Sequence, residues 1–130
     1  MPAPFGFPRT LRLTQAKDYQ QVFAEATRSA DHYLSVMARA NGRNFPRLGL
    51  AISKRQVRKA ADRNRIKRVS RESFRLHQRQ LAGFDFVVMA RSPASQADHE
   101  HLHRSLRKHW QRLVKQCGTS WSASSSSTAI

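Results

Sequence analysis

Between Lys59 and Arg75 the chain reads KAADRNRIKRVSRESFR, with five arginines and two lysines threaded among Ile66, Val69 and Phe74. At about 100° per residue, Ile66, Val69, Ser73 and Leu76 fall at i, i+3, i+7 and i+10, a narrow stripe fit for a core. Arg63, Lys67, Arg71 and Arg75 follow one another at i+4 steps on the other side, flanked by Asn64 and Arg68. Like charges at that spacing each destabilise an isolated helix by about 0.2–0.5 kcal/mol. Such a helix persists only if a packed domain holds one face, and its other face calls for an anionic partner.

The charge is concentrated there. From Lys54 to Arg79 eleven basic residues meet two acidic ones, a net of +9 within a chain of 130 residues whose formal charge is +16 and whose pI is near 11.7. Solvated charge runs usually mix signs, so this one reads as a phosphate-binding surface and nucleic acid as the partner. No apolar run is long enough to span a membrane and no signal-like segment opens the chain, so a cytoplasmic protein without membrane association is expected. Cys117 is the only cysteine, which rules out an intramolecular disulfide and a thiolate metal site.

Three segments are expected. Residues 1–8, MPAPFGFP, carry three prolines and read as an extended arm; residues 9–117 form one α/β domain; residues 118–130, serine-rich and uncharged, read as a disordered tail. Within the domain, Thr14–Ala26 places Tyr19, Val22, Phe23 and Ala26 at helical spacing behind Thr14 as N-cap. His32–Ala40 alternates Leu34, Val36 and Ala38 against Tyr33, Ser35, Met37 and Arg39, and NGRNFP after it predicts a hairpin into Arg47–Ser53. That second strand sets Leu48, Leu50 and Ile52 against small Gly49, Ala51 and Ser53, so one of its faces admits a close approach. The basic helix to about Gln80, a buried strand in GFDFVVMA, and a helix from about Asp98 to Gln116 complete an α-β-β-α-β-α order of class α+β.

At SKRQVRKAADRNRIKR the chain resembles the protein subunit of bacterial ribonuclease P, the ribonucleoprotein that removes the 5′ leader of precursor tRNA. RLTQAKDYQQVF is similar to that family's first helix, RLGLAISKR to the strand before its basic helix, and DFVVMARSPASQADHEHLHRSLRKHW to its last strand and helix, so the resemblance covers about Arg9 to Trp110. It implies a single-domain two-layer α/β sandwich with a left-handed crossover through the basic helix, against the general right-handed rule.

The resemblance further implies a division of labour. The catalytic RNA subunit holds the Mg2+ ions and performs hydrolysis; the protein supplies no catalytic residue, holds no metal or cofactor of its own, is inactive alone and needs no stable protein partner. The residues agree, since the eight carboxylates form no evident pair or cluster for two magnesium ions. Contact with the RNA subunit is expected from Lys54, Arg55, Lys59, Arg63, Asn64, Arg65, Lys67, Arg68 and Arg71, whose guanidinium groups fork onto phosphate. The precursor tRNA leader is expected in a cleft between the first helix and the sheet, with Tyr19 and Phe23 stacking on bases, Tyr33 and Met37 beside them and Gly49, Ala51 and Ser53 as floor. Met37 departs from the polar or aromatic residue expected there. The alternative is a general RNA-binding or ribosome-associated protein with no enzymatic role, for which a match of all these elements in order has no reason.

One rival motif is HEHLH, His99–His103, which fits the H-E-x-x-H pattern of zinc proteases, with His109 in the place of a third ligand. Where that pattern needs a glycine to leave the helix stands Leu106, and on a continuous helix His109 lies about 240° around from His103. The segment reads instead as a solvated, partly basic helix whose Leu102, Leu106, Trp110, Leu113 and Val114 pack inward.

Overall fold

A computed structural model describes residues 11–129, with side chains to 116; the expected arm at residues 1–8 lies outside them. The element order is α1 (Ala16–Glu25), β1 (Thr27–Ala30), β2 (Leu34–Ala40), β3 (Arg47–Ala51), α2 (Ala60–Leu76), α3 (Gln78–Leu81), β4 (Phe84–Ala90), a 3-10 turn (Ser92–Gln96) and α4 (His99–Ala129). The class is mixed α+β, built on one four-stranded sheet of order β1-β2-β4-β3.

The hairpin expected through NGRNFP does not form. β4 inserts between β2 and β3, antiparallel to β2 and parallel to β3. Apolar content explains the exchange: Phe86, Val87 and Val88 of β4 are all fully buried, and a strand apolar on both faces belongs in the middle of a sheet. The hairpin that does form joins β1 to β2, pairing Ser29 with Val36 and Ala30 with Ser35. β1 reads TRSA, too short and polar to signal a strand by alternation, and the expected order therefore lacked it. Its turn is secured by Asp31, whose carboxylate accepts from the amides of Tyr33 (2.8 Å) and Leu34 (2.9 Å).

Helices α2 and α4 cover one sheet face. Ile66, Val69 and Phe74 from α2 and Leu102, Leu106, Trp110 and Leu113 from α4 bury themselves against Leu34, Val36, Leu48, Phe86 and Val88. Trp110 pins the two helices together: its Nε1 donates to Ser73 Oγ at 2.8 Å and its ring meets Phe74 and Phe86 edge-on. The core stripe of α2 is corrected here, because Leu76 is 54% exposed while Phe74 is fully buried. Both lie about 80° from Ile66, on opposite sides, and α4 packs on the Phe74 side. The basic helix also stops earlier than about Gln80. At His77 the backbone leaves helical geometry, α3 follows as a separate turn, and Gly83, at φ +92, brings the chain into β4.

α1 covers part of the other face. Val22, its one buried residue, packs with Leu13 and Val87, and Tyr19, Ala26, Met37, Ala51 and Met89 surround them. Its N-cap is Gln15, one residue beyond the expected Thr14, with no capping bond from the side chain. Before α1 the chain runs beside β3, Leu13 N donating to Leu48 O at 2.9 Å. At the far end α4 extends as backbone to Ala129 through the serine-rich stretch whose composition predicts disorder, and the last apolar anchor among the described side chains is Val114.

Candidate nucleic-acid interface

The small residues of β3 do admit a close approach. A Cβ built on Gly49 would stand 2.6 Å from the Tyr19 ring, so only glycine lets α1 lie this near the sheet. The Tyr19 hydroxyl donates to Leu13 O at 3.2 Å, which holds the ring across β3. One helical turn further, Phe23 is 44% exposed, and its neighbour Val22 supplies the packing against Val87. Met37 lies in that apolar cluster beneath α1.

Because α1 is short, the rest of this face stays open as a groove of about 480 Å³ lined by Ala51 and Ser53 together with Arg28, Ser35, Gln56, Met89 and Arg91. Tyr33 is not part of it. Its ring packs against His32 at 5.1 Å and His101 of α4 at 6.2 Å, joined to the core on the helical side. Arg28 and Arg91 went unnoticed in the sequence because one sits on the unrecognised β1 and the other in a loop after β4. Their only sequence signal was charge outside the basic run.

The nine positions expected to form the basic surface fall into two groups. Lys54, Arg55, Lys59, Asn64, Arg68 and Arg71 are exposed, and Lys67 is half-buried. Arg63 and Arg65 have local duties. Arg63 Nη1 donates to the carbonyls of Val57 (3.0 Å) and Arg58 (2.7 Å) ahead of the helix. Arg65 donates to Ser95 O at 2.9 Å and to Ala97 O, and so clamps the 3-10 turn onto α2. Lys67 and Arg71 turn toward α1. With Tyr19, Arg12, Leu13, Thr14, Leu48 and Leu50 they line a smaller groove of about 170 Å³, so the cationic face of α2 and the aromatic face of α1 adjoin each other.

Two buried polar clusters hold the frame. At one end of the sheet Arg47 forks onto Asp85 at 2.9 and 2.6 Å, with Asn41 Nδ2 donating to the same carboxylate and Asp18 of α1 3.7 Å from Arg47. These bonds raise the Arg47 pKa further, although burial opposes them. At the other end His109 of α4 shares a 2.7 Å hydrogen bond with Ser29 Oγ, which also accepts from Arg112. Its Nε2 lies 3.2 Å from Asp31 Oδ2 but without hydrogen-bond alignment. Burial holds His109 below its ordinary pKa, outweighing the attraction of Asp31. For Asp31 burial acts upward, yet the bonds from Ser105 Oγ and from the amides of Leu34 and Tyr33 leave its pKa lowered. His109 thus faces β1, while His103 stands 3.9 Å from Glu72 of α2 and His99 is exposed. Among the described residues no three His, Cys, Asp or Glu side chains are grouped to share a metal ion, and no helix is long and apolar enough to cross a membrane.

Comparison with known proteins agrees with this architecture. The model of the Ribonuclease P family matches residues 7–114. The chain is 53% identical over 116 residues to the ribonuclease P protein component of Methylococcus capsulatus, spanning 89% of this chain and 91% of that one. With the corresponding protein of Vibrio cholerae it shares 50% identity over 111 residues, 85% of this chain and 94% of the relative. Among solved structures, the RNase P protein of Thermotoga maritima superposes with a TM-score of 0.70 at 31% identity, covering 78% of this chain and 96% of that one. That of Staphylococcus aureus superposes with a TM-score of 0.72 at 28% identity, covering 78% and 93%.

Proposed function

The chain belongs to the ribonuclease P protein family, a component of an endoribonuclease ribonucleoprotein and a partner of its RNA, and from that premise we propose that it carries no catalytic group and acts by gripping RNA on two adjoining surfaces. The exposed cations of α2, with Lys54, Arg55 and Lys59 before it, bind phosphates of the catalytic RNA subunit. The open face beside α1 takes the 5′ leader of precursor tRNA, so that the protein promotes 5′ maturation of tRNA by holding the substrate against the RNA.

The observation that carries this reading is the disposition of the aromatic pair. Tyr19 lies across Gly49 in close contact and Phe23 stands 44% exposed one turn on, where a residue serving only the core would be covered. An exposed ring is suited to stack on unpaired bases, and the cations that share a groove with Tyr19 are suited to hold the backbone. Arg28 and Arg91 in the larger groove, and Lys67 and Arg71 in the smaller, give that strand charge on either side. Mg2+ belongs to the RNA subunit in this scheme, and the site of action is the cytoplasm.

Reconstitution with a ribonuclease P RNA and a precursor tRNA at low Mg2+ tests the proposal. The protein should stimulate leader removal by the RNA and produce none without it. Cleavage by rigorously RNA-free protein would overturn the assignment of all chemistry to the RNA.

A further inference from the structure

The cationic surface proposed above occupies α2, but a second one lies on α4. Between His99 and Gln116 this helix carries Arg104, Arg107, Lys108, Arg112 and Lys115 against a single acid, Glu100. Its inward face is taken by Leu102, Leu106, His109, Trp110 and Leu113, all buried, and the five cations share the opposite arc, every one of them exposed. Arg104 pairs with Glu100 at 3.4 Å and Arg112 reaches Ser29, whereas Arg107, Lys108 and Lys115 form no ion pair with a described residue. No described residue pairs with these three cations, which share one arc of one helix where mutual repulsion is a cost.

We propose that the outer face of α4 is a second RNA-binding surface, and that its occupant is the phosphate backbone of an RNA double helix. The shape of the surface favours a duplex over a single strand. Arg104, Lys108 and Arg112 rise along the helix at about 6 Å per step, each turned about 40° from the last, with Arg107 and Lys115 beside them on the same arc. The exposed side chains of α4 between His99 and Gln116 include no Phe, Tyr or Trp, so this face has no ring of that kind for an unpaired base, unlike the face of α1. It is also distinct from the leader groove: α4 packs on the sheet face opposite α1, and none of these five residues lines either groove. The inference requires association with RNA but not the leader assignment.

The test pairs Arg107→Gln with Lys108→Gln in one variant, and Lys17→Gln with Arg43→Gln in another that removes the same charge elsewhere. Binding to a 20-base-pair RNA duplex and to a single strand of equal length is measured across a salt series. The α4 variant should lower the slope of log affinity against log salt on the duplex by about 1.8, two contacts at about 0.9 each. The charge-matched variant should lower it far less, and the α4 variant should leave the affinity ratio between precursor and mature tRNA in the holoenzyme unchanged. Equal losses in both variants would reduce the effect to net charge, and equal losses on both probes would remove the duplex; either result overturns the proposal. Should the variant fold poorly, acylation of the unaltered protein decides. Lys108 and Lys115 should be protected by the ribonuclease P RNA, and undiminished reactivity would refute the surface.

Discussion

Tyr19 and Phe23 have the same spacing relation to the helix and opposite relations to the core. The Tyr19 ring is tied down by its bond to Leu13 O and by contact with Gly49, while Phe23 leaves 44% of its surface to solvent because Val22 already fills the space above Val87. Truncating a buried phenylalanine costs about 3–5 kcal/mol; Phe23→Ala should cost well under that, with little change in melting temperature. If the ring stacks on the leader, the same change should weaken precursor tRNA binding to the holoenzyme by about 1–3 kcal/mol and leave mature tRNA nearly unaffected. Precursors with leaders of one and of several nucleotides, compared directly, give the reading. A large fall in melting temperature without dependence on leader length would return Phe23 to the core.

At the scale of elements, the basic helix divides its arginines between binding and construction. Arg68 and Arg71 are exposed. Arg68→Ala with Arg71→Ala should therefore reduce the salt dependence of RNA-subunit binding by about 0.7–0.9 log units per contact per tenfold salt, with cooperative unfolding intact. Arg65 belongs to the other group. Its guanidinium holds the carbonyls of Ser95 and Ala97, so Arg65→Ala should lose stability by about 1.5–3 kcal/mol in a urea titration. If Arg65→Ala proved neutral in that titration, the clamp between α2 and the 3-10 turn would be dispensable. The distinction is invisible in the sequence, where the arginines of the helix look alike; for Arg65 it arises because the turn after β4 passes one flank of α2.

At the scale of the whole molecule, His109 ties the last helix to the first hairpin through Ser29 and Asp31. With its pKa below the ordinary 6.5, His109 stays neutral in the fold over a range where the unfolded chain takes up a proton. Protons then bind more to the unfolded state, so stability present above about pH 6.5 should decline as the pH falls through and below it. Asp31, with its pKa lowered from 3.8, adds stability above that value which is lost in stronger acid. Urea unfolding between pH 7.5 and 5 should show the decline, and His109→Gln should flatten it. An unchanged slope in that variant would show that His109 does not carry the effect.

What sequence alone determined was whatever rests on local periodicity and on charge. The helix in Lys59–Arg75, the buried strand in GFDFVVMA, the close approach at Gly49, and the apolar inward residues of α4 were legible, because each depends on residues a few positions apart, whereas the burial of His109 was not. The strand order was not. Pairing β2 with β4 instead of β3 is decided by which strand is apolar on both faces and must sit centrally, a comparison among segments far apart in the chain. β1 exists because β2 offers it an edge and α4 covers Ser29, and Leu76 is exposed because α4 packs on one flank of α2 and not the other. The adjoining of Tyr19 with Lys67 and Arg71 in one groove follows from those choices. Long-range packing selects among arrangements that local spacing leaves equal in energy, which is why the candidate residues were readable one by one and their assembly into neighbouring surfaces was decided only by the tertiary structure.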